Sequence, residues 1–219
     1  MVRTVNGTPR PFGDDRPKGK GGITALAVGG ALVIGASGVG GLGGLSAGSG
    51  TAVESLGSLS GRVKSGKESA RKGRPDEAWR RMSLRSVKKA TDNALDCAVN
   101  SYGQVRDFFS RTPCKSLDRA FFTFADEQGN SFVVSVSWVT MYDRQAVDRL
   151  KVLADKDGTG NVKPVGFDAL KSQGVRFTGE PYKSRDDGKR LVIAEAATTS
   201  GDPDPALVRG TVEVAVELR

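Results

Sequence analysis

The 219-residue chain contains no histidine, only two cysteines and few aromatic residues (6%). Without histidine there is no Ser-His-Asp triad, no imidazole general base and no histidine metal ligand. Two cysteines are too few for an all-cysteine zinc site, which takes four thiolates. Charge is absent from the whole of residues 21–53. These absences close the commonest catalytic and metal chemistries. The sequence names no catalytic residue, no metal-ligand set and no cofactor, and it favours binding over catalysis.

The net charge of +8 invites a polyanionic partner, but its distribution argues otherwise. Residues 1–22 carry +3, residues 54–96 carry +5, and residues 97–219 carry equal numbers of acids and bases. The excess flanks the uncharged stretch, with no aromatic interleaving or reading helix beside it. No nucleic-acid partner is expected.

Residues 23–45 hold 13 aliphatic or Ala positions and eight glycines. As a helix this segment is about 34 Å long, enough to cross a ~30 Å hydrocarbon core. Five basic residues precede it, and only Arg62 and Lys64 follow within about 20 residues, the range over which flanking charge sets orientation. The pattern predicts a basic cytoplasmic tail (1–22), a single transmembrane helix (23–45) and everything beyond it outside the membrane. Membrane lipid is then the first partner. The more apolar part, residues 23–36, also has the length of a signal-peptide h-region, which would release the domain instead of anchoring it. Both alternatives export the domain. Gly40, Gly44 and Gly48 stand four apart, a spacing through which membrane helices self-associate.

Residues 46–73 are rich in Gly and Ser, then in Lys and Arg, and read as a flexible linker. The 11 Lys and Arg from Arg62 to Lys89 suit anionic headgroups, an envelope protein or polymer, or simply a solvated face. The folded domain is expected over residues 74–219. In an exported domain Cys97 and Cys114 pair as a disulfide closing an 18-residue loop.

Within the domain, Pro75 followed by Asp76 and Glu77 opens a helix whose face extends to about Ala94. Ser101 is placed to cap a second helix that Pro113 ends. Residues 132–139 alternate like a strand and follow 120–125 through a turn containing Gly129. Asp143 then caps a helix. The order recurs with extended residues 175–182, a turn at Gly188, strand 191–199 and a last segment begun by Asp202. There Leu207, Thr211, Val214 and Leu218 fit a helix, while Val212, Val214, Val216 and Leu218 also alternate like a strand; the 59-residue offset tips it to helix. The two turn glycines, and the two capping aspartates, are each 59 residues apart. The expectation is an α+β fold: a four-stranded antiparallel sheet, built as a ββα-ββα pseudo-repeat, with helices on one face.

Two constellations bear on chemistry. Asp155, Asp157 and Thr159, with Gly160 sixth, open like an EF-hand loop. The twelfth position is Gly166 where a bidentate glutamate is required, and Asp168 comes two residues late, so the segment reads as a glycine-dependent turn. Arg176, Tyr182, Arg185, Asp186 and Asp187 gather near the second hairpin. If the domain handles a ligand, Asp155, Asp157, Arg176 and Tyr182 are the first candidates.

The stretches at 97–106 (CAVNSYGQVR), 111–120 (RTPCKSLDRA), 136–139 (VSWV), 158–162 (GTGNV) and 176–179 (RFTG) resemble a group of uncharacterised actinobacterial proteins with an N-terminal hydrophobic anchor. The likeness spans roughly residues 79–199. It implies placement in a cell envelope and supplies no catalytic residue.

Overall fold

The computed structural model describes residues 57–219. The expected tail and membrane span lie outside these residues, as do the three spaced glycines. No helix among the described residues is long and apolar enough to cross a membrane.

The fold is α+β. In chain order its elements are α1 (Leu59–Arg71), α2 (Pro75–Arg81), β1 (Arg85–Ala94), α3 (Gly103–Arg111), β2 (Ser116–Ala125), β3 (Ser131–Thr140), α4 (Arg144–Ala154), α5 (Phe167–Ser172), β4 (Tyr182–Asp187), β5 (Arg190–Ser200) and α6 (Pro205–Ala215). The five strands form one antiparallel sheet in the order β1-β2-β3-β5-β4. The expected hairpin turns are present, with Gly129 and Gly188 at positive φ. Asp143 caps α4 by accepting from the Ala146 amide at 2.7 Å.

Helices cover both faces of the sheet, not one. On the first face, Phe122, Phe124, Phe132, Val134, Val136, Val192 and Ala194 pack with Trp79 of α2 and with Val208 and Val212 of α6. The Trp79 ring meets Phe122 and Phe124 edge-on at 5.2 and 4.9 Å. On the second face, Leu117, Val139, Leu191 and Ile193 pack under Val105 and Phe109 of α3 and Val147 and Leu150 of α4. Residues 132–137 are all buried, the pattern of a strand covered on both sides.

This arrangement overturns the pseudo-repeat. A two-fold axis relating adjacent antiparallel strands stands perpendicular to the sheet and leaves its faces unexchanged. Yet α4 lies on the second face and α6 on the first. The 59-residue offset is odd, so it carries Val134 on one face to Ile193 on the other. The terminal helix is capped by Asp204, which accepts from the Ala206 amide at 2.9 Å. Asp202 instead donates its amide to the Asn130 side chain.

Strand β1, beyond the four that the sequence predicts, stands where the sequence predicts helix. Helix α2 stops at Arg81, after which Ser83 takes a left-handed φ of 57°, and β1 pairs along the length of β2. Its sequence, with Lys88, Lys89 and Ala90, has little strand propensity; pairing with β2 decides the outcome. Similarly, residues 175–181 are irregular and β4 begins only at Tyr182.

The second half of the expected linker is helix α1, packed on α6. Ser58 caps it by accepting from the Gly61 amide at 3.2 Å. Glycine permits the close approach: a Cβ on Gly210 would stand 2.7 Å from a Val63 methyl, and one on Gly66 3.0 Å from a Val214 methyl. The basic face of α1 meets acids far along the chain. Lys67 pairs with Glu213 at 2.5 Å, and Arg71 forks onto Glu217 at 2.7 and 3.0 Å. Arg74 and Arg81 both pair with Glu77.

Cys97 and Cys114 form the expected disulfide, Cα to Cα 6.1 Å. It joins the turn after β1 to the start of β2 and clips α3 between them.

Replacing Gly210 by Val is expected to cost about 1–3 kcal/mol through overpacking, read as a lowered urea midpoint. An unchanged midpoint would show that α1 is a tether after all.

Candidate functional site

One row of side chains crosses the second face of the sheet: Tyr182, Glu195, Ser135, Phe121 and Ala90, on β4, β5, β3, β2 and β1 in turn. Glu195 interrupts the otherwise apolar run 191–197 of β5 and is only 4% exposed. Its Oε1 accepts from the Gly179 amide at 2.8 Å and its Oε2 from the Asn161 side-chain amide at 3.3 Å. Burial pushes its carboxyl above the ordinary range, and those two bonds only partly offset the shift.

The wall above Glu195 is made by two loops that zip together. Residues 100–104 and 159–163 share three backbone hydrogen bonds: Tyr102 N to Asn161 O, Gln104 N to Thr159 O and Lys163 N to Asn100 O, the first and last of which close the antiparallel Ser101–Val162 bridge. The loops cross at Gly103 and Gly160, both at positive φ. A Cβ on Gly160 would stand 2.2 Å from the Tyr102 carbonyl oxygen, and one on Gly103 2.5 Å from that of Thr159. Two of the motifs noted in the sequence, NSYG and GTGNV, are thus the two sides of one contact.

The loop that opens like an EF-hand takes part in this pairing. The Thr159 hydroxyl turns inward and donates to the carbonyls of Leu153 and Lys156, both at 2.6 Å. Asp155 accepts from Tyr182 at 3.0 Å, from Ser184 at 2.6 Å and from Lys151. No three acidic, Cys or His side chains among the described residues are grouped to hold a metal ion. The segment is a turn, built by its glycines.

Beneath this wall lies a cleft of about 270 Å³, lined by Tyr102, Asp155, Asp157, Phe177, Tyr182 and Glu195, with Gly103, Gly158, Gly160 and Gly179 along its rim. Burial raises the Tyr102 hydroxyl, with the Glu195 charge adding to it. Burial raises Tyr182 as well, with the charge and hydrogen bond of Asp155 adding to it, so this phenol stays a neutral donor. For Asp155 burial pushes upward, but the bonds from Lys151, Ser184 and Tyr182 and the Lys151 charge outweigh it and hold the carboxyl low.

Three of the four candidate residues therefore converge: Asp155, Asp157 and Tyr182 all line the cleft. Arg176 does not; it is exposed, while its neighbours Phe177 and Thr178 reach the cleft. Arg185 points to the other face and donates to the Val216 carbonyl at 3.1 Å. Asp186 and Asp187 pair with Arg144 and Arg190 at the far hairpin. Ser101 does not cap α3; its hydroxyl is buried without a partner. Glu195, Tyr102 and Asn161 were missed. Glu195 had a signal, being the sole charge between Arg190 and Asp202.

No protein-family model, curated protein or solved structure matches the chain, so its function is read from the fold and the cleft.

Because the folded Glu195 titrates above its ordinary value near 4.5, the native state holds this proton more tightly than the unfolded one. Its effect on stability is therefore least unfavourable in acid and worsens as pH rises toward the folded value. Asp155 has the opposite sign and loses its contribution as pH falls. Replacing Glu195 by Gln should remove the first effect and leave the second. Urea unfolding of both proteins between pH 4 and 8 should show the stability difference changing with pH; parallel curves would refute the assignment.

Proposed function

We propose that the chain is an exported binding protein, held at the membrane by residues 23–45 and displaying the domain from Leu59 onward outside, with the Glu195 cleft as its ligand site. The observation that carries the binding role is the cleft itself: concave, rimmed by glycine and aromatic groups, and floored by a buried carboxylate with no counter-charge. Export is supported by the Cys97–Cys114 disulfide, which belongs to oxidising compartments, and by the charge asymmetry about residues 23–45. The resemblance to anchored envelope proteins points the same way. Cleavage after the apolar run, releasing the domain with the same cleft, is the variant form of this proposal.

A histidine-independent enzyme is the second reading. It is favoured by Glu195 and Asp155 lining one cleft with carboxyls displaced in opposite directions, as an acid and base pair requires.

In intact cells carrying a C-terminally tagged chain, added protease should remove the tag, and alkylation before reduction should leave both cysteines unlabelled. A protected tag with reactive thiols would overturn the exported topology. The mass of the mature N-terminus distinguishes anchor from cleaved signal.

A further inference from the structure

Resting on the reading that this cleft is the ligand site, we infer that its ligand is a primary ammonium group at the end of an extended chain, docked on Glu195 between the rings of Tyr102, Phe177 and Tyr182.

The first argument is a contrast among carboxylates. Glu217 has Arg71 and Arg185, Glu213 has Lys67, Asp92 has Arg119, and Asp155 has Lys151. Glu195 is the one buried acidic residue among the described residues, and it has no cation. Its two partners, a backbone amide and a side-chain amide, are neutral. A buried carboxylate costs least when a charge of opposite sign meets it. The one side of Glu195 open to such a charge is the cleft.

The second argument is the lining. Three aromatic rings frame the space, and ring faces attract ammonium groups. At the rim, Gly158 and Gly179 have nothing within 4 Å of where a Cβ would stand, which leaves a small cation room to come close. With Asp155 already answered by Lys151, the lining still carries Asp157 and Glu195 against Lys156. An anion would meet repulsion there, and a neutral sugar would leave the Glu195 charge unanswered.

The third argument is length. A second hollow of about 650 Å³ shares Asp157, Gly179 and Tyr182 with the cleft and continues past Glu180 and Asp202 toward Arg209. A ligand whose ammonium end sits on Glu195 has a course along which the rest of its chain can lie, past further carboxylates. A polyamine and a peptide carrying lysine both present this chemistry.

The test is calorimetric titration of the full-length chain in detergent with 1,4-diaminobutane, spermidine, the peptide Gly-Gly-Lys, N-acetylglucosamine and inorganic phosphate. Saturable binding of the amines is expected, with spermidine tighter than diaminobutane. Glu195→Gln should weaken it at least tenfold. Asp157→Asn, at a carboxylate with no partner in the described structure, should weaken it about threefold without moving the melting temperature, which guards against a folding defect in the first variant. The ratio of peptide to polyamine affinity identifies the source of the ammonium group. Amine binding equal in the wild type and Glu195→Gln would place the amines elsewhere on the protein and overturn the inference. Binding of sugar or phosphate that is sensitive to Glu195→Gln, without amine binding, would overturn the ammonium ligand and leave the cleft as a binding site. Failure of every compound to bind would overturn the inference.

Discussion

Strands β3 and β5 have no solvent-facing side, and the rest of the fold answers that constraint. They lie at the centre of the sheet, with residues 132–137 and 191–197 buried throughout. Each face therefore needs its own cover. On the first face the cover is regular: α2 and α6 lie on phenylalanine and valine side chains, and α1 lies on α6. Because α1 and α6 come from opposite ends of the domain, this layer ties its first residues to its last. The salt bridges from Lys67 and Arg71 to Glu213 and Glu217 follow from that packing. As partly exposed pairs they give register to the helices more than stability.

The second face is covered differently. Helices α3 and α4 protect one part of it, and the short helix α5 with the loops beside it protects the rest. A loop over a buried sheet must satisfy its own backbone groups. Here the 100–104 and 159–163 segments do so by bonding to each other, an arrangement open only to glycine at the crossing. The disulfide holds one of the two segments near the sheet. Loops fill space less completely than helices, and the cleft is the gap left where they meet β4 and β5. Glu195 stands in that gap because β5 alternates its faces and position 195 falls on the second.

Local signals in the sequence were read well, and long-range ones were not. The 126–130 turn, the Asp143 cap, strand β3 and the cysteine pair each carry their signal within a few residues, and each is present. Helix α1 was read as a linker because its composition is basic and poor in large apolar residues. The acids that balance it stand 146 positions away, and the glycines that let it approach α6 resemble linker glycines. Strand β1 reads as helix because Val87, Ala90 and Ala94 continue the helical spacing of Ala78 and Met82, whereas its partner β2 is known only from the fold. The even count of strands followed from missing β1, and the single helical layer from assuming a repeat. Asp155 and Asp157 stand out by a calcium-loop spacing and Tyr182 by its place near the second hairpin, and the fold brings the three to one cleft. Glu195 was passed over because it sits inside a strand, where its meaning depends on what covers it.

The absence of histidine bears on how this cleft works. General acid–base catalysis requires a group free to give or take a proton at its reacting atom. Asp155 is held by three donors, Lys151, Ser184 and Tyr182. Tyr182 is fixed as the donor to that carboxylate, and Tyr102 is pushed further from ionising. That leaves Glu195 as the group in the cleft whose shift runs toward the neutral range, without a histidine to complement it. One buried carboxyl with neutral neighbours offers a place for a positive charge; an acid–base cycle needs a second group that the network of Asp155 has already engaged. The same hydrogen bonds that engage Asp155 and Tyr182 leave Glu195 as the buried acid of the cleft without a cationic partner.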